Sequence, residues 1–458
     1  MILLDVLYLY IGRCTGRTFF LYVSSPFFIM SSTHTTTSSM SRISPVGRNN
    51  HSCGYCHSSD DTSYTYGMWA HALTCEDYQT LIDRGWRRSG QYLYKPDLRK
   101  SCCPQYTIRL NANEFTPTKS QRKIINKFNR FIEGSWKPLK EEEMDGDKQQ
   151  QPTSSPSSKV NYDTKKNMTE NIHLVEKDKE PADHSYEHKF EIVLEPSSVT
   201  KEKFELYRKY QVHIHHDEFD EVSERGFKRF LVDSPLKIEQ FSDGKTGQGY
   251  GSFHQKYILD GKLIAIAVLD ILPKCVSSVY FIYDPDYNFL GLGNYSALRE
   301  ISLTQELAHS VSSELHWYYM GYYIHSCPKM NYKGAYQPSE LLDAETYQWY
   351  PIIECKKLLD KKEFTVFSDP DKDWDKEEEG GDSNEEKEEK EDRIPGTLKK
   401  DQIKPHDVHN THLLLKKKQL VPVTNLVAWY DSQEFRDIIL EHIGVVGPEL
   451  NKRLVIEF

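Results

Sequence analysis

Four cysteines have spacings that could bring their thiolates onto one metal ion. Cys53 and Cys56 form a C-x-x-C pair, and Cys102 and Cys103 are adjacent and followed by Pro104. A C-x-x-C pair can reach one ion, and a vicinal pair adds two ligands where the backbone bends. Four thiolates suit tetrahedral zinc or a cysteine-ligated iron–sulfur cluster. Because the distance between the halves is not that of a zinc ribbon, buried free thiols and a redox pair at Cys53 and Cys56 stay open as alternatives.

A glycine-rich turn, Gly291-Leu292-Gly293-Asn294, lies between an expected strand and an expected helix. Glycine permits close backbone approach, and the amides at the start of a helix favour an anion such as a phosphate. The turn therefore predicts an anion contact. A plain strand-to-helix turn explains the same residues equally well.

Several cationic and imidazole side chains nearby could bind or transfer charge. Lys329 and Lys333 lie in an expected turn, either as solvated charges or as an anion-binding pair. Arg299 could hold a carboxylate with two parallel hydrogen bonds, or form a weak surface ion pair. His254, on an expected strand, could accept a proton from an attacking amine, although a strand histidine is more often hydrogen-bonded in the core.

The elements that must position these residues follow from apolar periodicity. Gly251 to Leu259 and Lys262 to Leu269 flank Asp260-Gly261, which predicts a two-residue β-hairpin. A strand from Ser277 to Tyr283, a helix with Asn294 as its N-cap and a strand from Tyr318 to Ser326 are predicted to follow. Nearer the start of the chain, the pattern predicts helices from Ala70 to Arg84 and from about Ile124 to Ile132.

Composition and charge divide the chain into unlike parts. Its 458 residues suggest two or three domains, and 38% hydrophobic against 28% charged residues indicates that part of it does not fold. The net charge of −10 is concentrated between Asp371 and Asp392, where 13 acidic residues stand against 4 lysines. From His71 to Arg130, 12 basic residues stand against 5 acidic ones. A local basic surface of this kind suits a polyanionic partner.

The predicted fold class is α+β, in four parts. We expect a disordered leader at 1–52, a small Cys-rich domain at 53–134, a flexible linker at 135–187 and a larger domain at 188–458 with an acidic low-complexity insert at about 368–400. No run of 18 apolar residues occurs, so we expect no membrane partner. The first 30 residues place their positive charges inside the apolar stretch rather than before it, which favours an unstructured leader over a signal peptide.

Two groups of motifs resemble the eukaryotic arginyl-tRNA–protein transferase family. The resemblance covers about 53–134 and 188–350, in the order of the family. The first group contains CGYC at 53–56, GMWAH at 67–71, LIDRGWRRSG at 81–90 and CCPQY at 102–106. The second contains FKRFLVDSPL at 227–236, GSFHQKY at 251–257, SSVYFIYDP at 277–285, GLGNYSALREI at 291–301 and YYIHSCPKMNYKG at 322–334.

The resemblance implies an enzyme that moves arginine from the 3′ ester of arginyl-tRNA to the α-amino group of proteins beginning with Asp, Glu or oxidised Cys. This reaction would mark those proteins for ubiquitin-dependent degradation, with a ubiquitin ligase acting downstream. An N-acetyltransferase-like fold is implied for the second domain, and a zinc or iron–sulfur site for Cys53, Cys56, Cys102 and Cys103. The expected location is the cytoplasm, with the nucleus as a second compartment.

From this resemblance we assign expected roles to individual residues. His254 would relay a proton beside Gln255, and the arginine guanidinium would meet Asp270, Asp284 or Glu300. The acidic side chain of the acceptor would meet the cations Arg299, Lys329 and Lys333. Phosphates of the tRNA would meet Arg84, Arg87, Arg88, Lys95, Arg122 and Lys123, and the terminal phosphate would meet the turn at Gly291, Gly293 and Asn294.

Two other functions explain part of the same pattern. An acetyl-CoA-dependent N-acetyltransferase would use the glycine turn for a pyrophosphate, and a non-catalytic zinc- and RNA-binding module would use the cysteines and the basic surface. The second function leaves the larger domain without a task. Leucine in place of arginine, as in bacterial relatives, is the rival for the transferred residue.

Overall fold

The computed structural model describes residues 9–14, 17–21, 40–138, 167–176, 185–241, 247–372, 393–415 and 419–458. Its strands are β1 (Leu9–Cys14), β2 (Arg17–Leu21), β3 (Ser41–His51), β4 (Ser63–Ala72), β5 (Arg87–Ser89), β6 (Tyr92–Pro96), β7 (Tyr106–Asn111), β8 (Phe190–Pro196), β9 (Gly251–Leu259), β10 (Lys262–Ile271), β11 (Cys275–Tyr283), β12 (Trp317–Tyr323), β13 (Ser339–Leu342), β14 (Trp349–Pro351), β15 (His412–Leu415), β16 (Gln419–Pro422) and β17 (Leu454–Ile456).

The α-helices of these residues are α1 (Cys75–Ile82), α2 (Lys119–Ile132), α3 (Met168–Ile172), α4 (Lys201–Tyr210), α5 (Glu224–Phe227), α6 (Leu292–Ser310), α7 (Pro328–Asn331), α8 (Ile352–Leu359), α9 (Pro405–His409), α10 (Val427–Asp431), α11 (Gln433–Val446) and α12 (Pro448–Asn451). Short 3-10 or π-helical turns lie at Ala112–Glu114, Gln211–His215, Lys228–Val232, Pro285–Leu290, Tyr332–Ala335, Lys400–Gln402 and Val423–Asn425. The strands form two larger sheets, and together with the helices they give the predicted mixed α+β class.

The larger sheet has eight strands in the order β14-β13-β7-β12-β11-β10-β9-β8. Its centre is the predicted hairpin of β9 and β10, whose turn residues Asp260 and Gly261 both have positive φ, 50° and 80°. This conformation suits the type I′ turn that the Asp-Gly dipeptide favours. Residues 263–271 of β10 are all buried, because helical layers cover both faces of the sheet.

The two faces of this sheet carry different helices. On one face, α2 and α6 pack together, with the rings of Phe128 and Tyr295 stacked 4.0 Å apart. On the other face, α4 and the turns near Phe227 pack against Ile266 and Val268. From Ala265 to Leu269, consecutive residues of β10 alternate between the two cores, since side chains alternate across a strand.

The smaller sheet has seven strands in the order β16-β15-β17-β3-β4-β6-β5. Strand β3 lies partly in the stretch predicted as a flexible leader, where Ile43 is fully buried and Leu454 of β17 pairs with Ser41. The leader prediction is therefore wrong for Ser41–His51. Alternate residues at the start of β3 are buried in a core that also receives α11, and β3 pairs with the nearby β4 as well as with the distant β17.

The predicted boundary between the domains also differs from the structure. Strand β7, from the segment expected to form the Cys-rich domain, pairs with β12 and β13 in the larger sheet. Helix α3 lies in the predicted linker, where Ile172 is fully buried. Most of the predicted linker and of the acidic insert lies outside the described residues, at 139–166, 177–184 and 373–392.

Smaller differences concern the ends of elements. Helix α1 begins at Cys75 because the preceding residues belong to β4 and Thr74 caps the helix. Helix α6 is preceded by Gly291 in the left-handed conformation rather than by Asn294. Strand β12 ends at Tyr323. No helix of the described residues combines the length and apolarity needed to cross a bilayer.

Candidate functional site

The four predicted cysteines come together. Cys53 and Cys56 lie in the turn after β3, and Cys102 and Cys103 lie between β6 and β7. Their sulfur atoms all lie within 4.8 Å of one another. The backbone amide of Cys102 donates to the carbonyl of Thr62 at 3.1 Å, which fixes the second pair beside the first.

The surroundings of these thiols differ. Burial acts to raise the pKa of Cys53, but hydrogen bonds from the amides of Cys56 and Tyr55 outweigh it and lower that pKa to about 7. Burial raises the pKa of the Cys103 thiol. The hydroxyl of Thr62 donates to the sulfur of Cys102 at 3.1 Å. A tetrahedral ion with metal–sulfur bonds of about 2.3 Å holds its ligands about 3.8 Å apart, so this donor set fits such an ion.

The cysteine cluster packs against a loop of the larger sheet. Cys53 and Cys103 share a small apolar core with Ile324 and Cys327, which follow β12, and Met330 packs at its edge. The loop after β12 therefore packs directly against Cys53 and Cys103 of the cysteine cluster. This contact joins the candidate metal site to the segment that carries Lys329 and Lys333.

Strands β11 and β12 enclose a gap in the larger sheet. They are parallel, and their register covers only Cys275 to Ser277 opposite Trp317 to Tyr319. Beyond these positions β12 becomes irregular between Tyr319 and Tyr322, and Gly321 adopts a positive φ of 70°. Parallel strands that stop pairing in mid-sheet leave room for a ligand between them.

A buried carboxyl group lies beside this gap. Glu300 of α6 is 1% exposed, and its Oε2 accepts a hydrogen bond of 2.7 Å from the hydroxyl of Tyr318. Burial raises the pKa of Glu300 to about 7, although hydrogen bonds from Tyr318 and Ser278 oppose the shift. Ser278 belongs to β11 and is partly exposed.

The glycine turn leads into the same region. Gly291 adopts φ 67°, and Gly293 and Asn294 are exposed in the first turn of α6. A Cβ atom at Gly291 or Gly293 would meet no other atom within 4 Å. The side chain of Asn294 accepts a hydrogen bond from Tyr336 at 3.3 Å. The predicted anion contact therefore has open space in front of it.

The structure pairs Arg88 with Asp270. Two hydrogen bonds of 2.7 Å join the guanidinium of Arg88 in β5 to the carboxylate of Asp270 in β10, and both side chains are at most 2% exposed. Ser252 also donates to this carboxylate, at 2.6 Å. The prediction that Arg88 contacts a phosphate and that Asp270 contacts a substrate guanidinium does not fit this geometry. The pair joins the two sheets instead.

Arg87 is buried as well. Its guanidinium donates to the carbonyl of Gly321 at 3.1 Å and lies 5.1 Å from the ring centre of Tyr322. Like Arg88, it fastens the smaller sheet to the larger one, and it has no free face for the predicted tRNA contact. Arg84 and Lys95 lie at the same junction, 4.4 and 4.8 Å from the ring centre of Tyr347.

Arg122 and Lys123, which were predicted to contact tRNA phosphates, are both exposed on α2, and this contact stays a prediction. The helix begins with a capping box between Thr118 and Gln121. Arg122 also donates to the carbonyl of Pro117 at 2.7 Å, so its side chain lies along the start of the helix.

The predicted cations for an acidic side chain separate into two groups. Lys329 is exposed in α7, and the ammonium of Lys333 donates to the carbonyl of Tyr322 at 2.7 Å. Burial and the nearby Arg87 lower the pKa of Lys333 to about 7. Arg299, in contrast, is 5% exposed and forms an ion pair with Glu176, so it is not available as predicted.

Asp284 is also already paired. Lys209 and Lys262 contact its carboxylate at 2.5 and 2.8 Å, and it caps the turn that begins at Pro285. These cations lower its pKa against the effect of burial, which acts to raise it. A substrate guanidinium would have to displace both lysines, so the predicted role does not fit.

His254 does not fit the role of a proton relay. It is fully buried, its Nε2 donates to the carbonyl of Leu231 at 3.0 Å, and its Nδ1 lies 3.1 Å from the ammonium of Lys203. A ring nitrogen that accepts from an ammonium is unprotonated, and burial lowers the pKa of His254 to about 4. The neighbouring Gln255 is buried and accepts from Tyr257 at 3.2 Å.

Ser278 and Tyr318 were not among the site residues predicted from the sequence. Both lie on strands next to the gap, and only Glu300 had been considered, as a partner for a guanidinium. A polar residue in an apolar strand was the available signal, at Ser278 in β11. Tyr318 carried no signal, since aromatic residues are common in strands.

Comparisons with known proteins agree with this arrangement of the chain. Residues 51–123 match the family model described as arginine-tRNA-protein transferase, N terminus, and residues 202–343 match the one described as its C terminus. The arginyl-tRNA–protein transferase 1 of Drosophila melanogaster is 36% identical over 72% of this chain and 87% of its own length. The arginyl-tRNA–protein transferase 2 of Arabidopsis thaliana is 34% identical over 71% of this chain and 77% of its own length. An aspartate/glutamate leucyltransferase of Campylobacter jejuni is 25% identical over 57% of this chain and 78% of its own length.

Proposed function

The chain belongs to the arginine-tRNA-protein transferase family, and from this premise we propose that it transfers arginine from arginyl-tRNA to the α-amino group of an acceptor protein. The observation that carries the proposal is the extent of the C-terminal match. Residues 202–343 include β11, α6 and β12, the three elements around the gap that holds Ser278 and Glu300.

The reaction needs little activation. The aminoacyl ester of a charged tRNA is already reactive, and an α-amino group with an ordinary pKa of about 7.7 to 8.0 has a neutral fraction at pH 7. The amine nitrogen attacks the ester carbonyl, the new C–N bond forms and the C–O bond to the ribose breaks. The nitrogen loses a proton and the ribose oxygen gains one. The protein must therefore position both substrates and accept a proton.

The gap between β11 and β12 is the proposed reaction site. Three antiparallel strands, a helix and a parallel strand follow one another there, which supports an N-acetyltransferase-like arrangement of the catalytic region. The turn at Gly291 and Gly293, with open space before it, would receive the phosphate of the terminal nucleotide.

Glu300 is the proposed proton acceptor. It is too buried to touch the amine, but Ser278 hydrogen-bonds it and is partly exposed at the gap. The amine would pass its proton to the Ser278 oxygen as the Ser278 hydroxyl proton moves to Glu300. This path replaces the role first predicted for His254, whose ring nitrogens already have partners.

An acceptor protein that begins with Asp or Glu is proposed for this chain. The name of the Campylobacter relatives assigns them these two residues as acceptors. Lys329 is exposed and Lys333 is half-buried in the loop that follows β12, close to the gap. Two amines in this position suit the carboxylate of such a first residue, and the sulfur acid of an oxidised Cys has the same charge.

The tRNA phosphates are proposed to meet the exposed cations Arg122 and Lys123. Contacts of this kind fix the position of a nucleic acid without reading its sequence.

The cluster of thiolates from Cys53, Cys56, Cys102 and Cys103 would hold a metal ion. With four thiolate ligands an ion has no open position for substrate, so its contribution when bound is a cross-link that fixes the loop after β12.

A metal measurement tests the cysteine assignment. Purified protein should contain about one tetrahedral zinc-like ion per chain, and Cys56→Ser should lose most of it, because the exposed Cys56 is a ligand whose removal leaves the fold least disturbed. Elemental analysis and visible absorption would measure the content and separate zinc from an iron–sulfur cluster. Equal metal content in Cys56→Ser and in the control Cys355→Ser would contradict the assignment.

A transfer assay with purified protein tests the proposed activity. Labelled arginyl-tRNA would be mixed with three peptides that begin with Asp, Gly or acetylated Asp, and a parallel set would use labelled leucyl-tRNA. Only the free Asp peptide with arginyl-tRNA should become labelled. Labelling from leucyl-tRNA would show that leucine is the residue transferred. The absence of labelling from both charged tRNAs would refute the proposal.

In the cell, the modified proteins would be degraded through a ubiquitin ligase, in the cytoplasm and also in the nucleus. In cells that lack this protein, a reporter protein that begins with Asp should be degraded more slowly. A reporter that begins with Arg should turn over at an unchanged rate, since it bypasses this step.

A further inference from the structure

The second half of β11 is an open strand edge in the middle of the larger sheet. β11 is the fifth of eight strands, and its pairing with β12 ends at Ser277 and Tyr319, whereas β11 itself continues to Tyr283. Residues 278–281 are partly exposed, in contrast to residues 263–271 of the neighbouring β10, which are all buried. A central strand that reaches solvent in this way has lost the neighbour on one side. This half of β11 therefore presents an edge to the gap.

The pairing of β10 with β11 shows which main-chain groups face the gap. The amide of Asp284 donates to the carbonyl of Ile264 at 2.7 Å, and the register of the two strands is regular over the preceding residues. In an antiparallel pair, opposite residues alternate between bonded and non-bonded positions. Ile282 is therefore bonded to β10 like Asp284. Phe281 and Tyr283 direct their N–H and C=O groups to the other edge, towards the gap.

These main-chain groups are available for another strand. Among the described residues, the gap-facing amides and carbonyls of Phe281 and Tyr283 have no hydrogen-bond partner. A row of unpaired N–H and C=O groups at a strand edge is a template for pairing with a further chain.

The opposite side of the gap differs from this edge. The carbonyls of Gly321 and Tyr322 in β12 already accept hydrogen bonds from Arg87 and Lys333, at 3.1 and 2.7 Å. Apart from its chain neighbours, a Cβ atom at Gly321 would meet only Nζ of Lys333 within 4 Å, at 3.9 Å. The β12 side thus has engaged carbonyls with open space beside them, and a chain that enters the gap would pair with β11.

We propose that the acceptor polypeptide of the proposed transfer reaction binds by adding a short strand to β11, with its α-amino group at Ser278 and its next residues along Phe281 and Tyr283. This inference rests on the proposed function. The gap is closed where β11 and β12 still pair, beside Ser278, and it opens towards Tyr283. The amine would lie at the closed end and the rest of the acceptor would leave at the open end, so the added strand would run parallel to β11, as β12 does.

The length of the edge limits how much of the acceptor it can hold. At about 3.3 Å per residue, the edge from Ser278 to Tyr283 is about 17 Å long, which suits about five residues. Main-chain hydrogen bonds do not depend on side chains, so the acceptor residues after the first would need an extended conformation rather than a particular sequence.

The edge suits a polypeptide better than the end of a tRNA. The N–H and C=O groups of one strand alternate in the same way as those of another, whereas a nucleotide chain offers phosphates and sugars. The open turn at Gly291 and Gly293 suits a phosphate instead. The two substrates would then occupy different parts of the site.

Calorimetric titration of the full-length protein with acceptor peptides, in the absence of charged tRNA, tests the proposal. A peptide that begins with Asp is compared with three versions in which an ester oxygen replaces the amide N–H of residue 3, 4 or 5. Every second residue of a strand faces the same neighbour, so residues 3 and 5 should behave alike and residue 4 differently. Loss of an N–H that faces β11 should weaken binding about fivefold, the value of one hydrogen bond, and loss of one that faces away should change little.

A pair of variants tests the same contact from the side of the protein. Phe281→Pro removes a gap-facing N–H and leaves the bonds between β11 and β10 in place, a position at which a strand tolerates proline. Phe281→Ala is the matched control, since it loses the same ring and keeps the N–H. Phe281→Pro should bind the peptide about fivefold more weakly than Phe281→Ala.

Hydrogen exchange keeps the test usable if Phe281→Pro fails to fold. When the peptide binds to the parent protein, exchange mass spectrometry with residue-level fragmentation should show slower exchange at the amides of Phe281 and Tyr283. The amide of Ile282, which is already bonded to β10, should not change.

The absence of peptide binding, equal binding by the parent peptide and the three esters, or unchanged exchange at Phe281 and Tyr283 would overturn the proposal. Slower exchange there at raised protein concentration without peptide would assign the edge to a second copy of the chain, which would also overturn it. Because these measurements report binding, a peptide that binds in the alternating pattern but receives no arginine would refute only the proposed function. A peptide that is labelled without the alternating pattern would refute only the strand addition.

Discussion

Burial shifts the pKa values of two side chains in this protein in opposite directions. It raises the pKa of the Glu300 carboxyl group to about 7 and lowers the pKa of the His254 imidazole to about 4. Near neutral pH the carboxyl group can exchange a proton, whereas the imidazole stays neutral and serves as a hydrogen-bond partner. From the residue types alone, His254 rather than Glu300 was predicted to transfer the proton.

Replacement of Glu300 by Gln should lower the rate of transfer at pH 7.5 by about 10²- to 10⁴-fold, the usual contribution of a general base. In the parent, activity should rise with pH through about 7 as this carboxyl group loses its proton, and the variant should lose that limb. A pH profile of single-turnover rates would measure both effects. Glu205→Gln, at an exposed position of α4, is the matched control. An unchanged profile in Glu300→Gln would exclude Glu300 as the proton acceptor.

His442 should make stability depend on pH. It is fully buried, neither ring nitrogen has a partner, and burial lowers its pKa from 6.5 to about 4. A depressed pKa in the folded state means that stability is complete above about pH 6.5 and is lost as the pH falls towards 4. The loss should reach about 3 kcal/mol.

His442→Leu should remove this dependence, and it should also raise the free energy of unfolding at pH 7.5, since a buried polar group without partners is eliminated. Urea unfolding at pH 7.5 and pH 5 would measure both effects. The exposed His309→Gln serves as the control. Parallel pH dependence in His442→Leu and the parent would contradict the prediction.

At the scale of elements, ion pairs between side chains hold helix α3 against helix α6. Glu176, which follows α3, forms an ion pair with the buried Arg299 and contacts His173 at 2.9 Å. His173 in turn contacts Glu306 of α6 at 2.8 Å. The network binds a segment that sequence composition placed in a linker.

Glu176→Ala should leave Arg299 buried without this carboxylate and should lower the free energy of unfolding by about 3 to 5 kcal/mol. Hydrogen exchange of residues 168–176 should speed up more than exchange of β9 and β10. Urea unfolding and exchange mass spectrometry would measure these effects. Glu205→Ala, which removes an exposed ion pair with Lys201, should change little. A similar result for both variants would show that α3 is held by apolar contacts.

Local sequence signals predicted the elements whose partners are near in the chain. The Asp260-Gly261 hairpin, helix α2 and the apolar stripe of α6 all follow from turn chemistry or periodicity. Strand β3 was missed because its sequence contains Pro45 and Gly47 and few apolar residues, although it pairs with the nearby β4 as well as with the distant β17. Strand β7 was missed because its partner β12 is distant. No local pattern specifies such a pairing.

The same limit applied to the candidate site. The spacing of the four cysteines together with the family resemblance predicted that they come together. Arg88 and Asp270 are 182 positions apart, and each alone looks like a free charge ready for a ligand. Only the folded arrangement shows that they satisfy each other, and only it shows that Arg299 forms an ion pair with Glu176.

At the scale of the whole molecule, the Arg88–Asp270 pair should couple the two sheets. Arg88→Met leaves the Asp270 carboxylate buried and unpaired, which should lower the free energy of unfolding by about 3 to 5 kcal/mol. The double variant Arg88→Met with Asp270→Leu should recover much of the loss. Urea unfolding followed by tryptophan fluorescence and circular dichroism would measure both. Lys452→Met, at an exposed pair with Glu449, is the control, and a double variant less stable than the single one would contradict the coupling.

The parallel pairing of β17 with β3 has a consequence for how the protein is made. Leu454 to Ile456 form the link between β15 and the strand at Ser41–His51, which is made much earlier in synthesis. During synthesis one edge of β3 therefore stays uncovered until the later segment with β17 has been made. In that interval the open strand edge is a feature that chaperones and proteases can recognise.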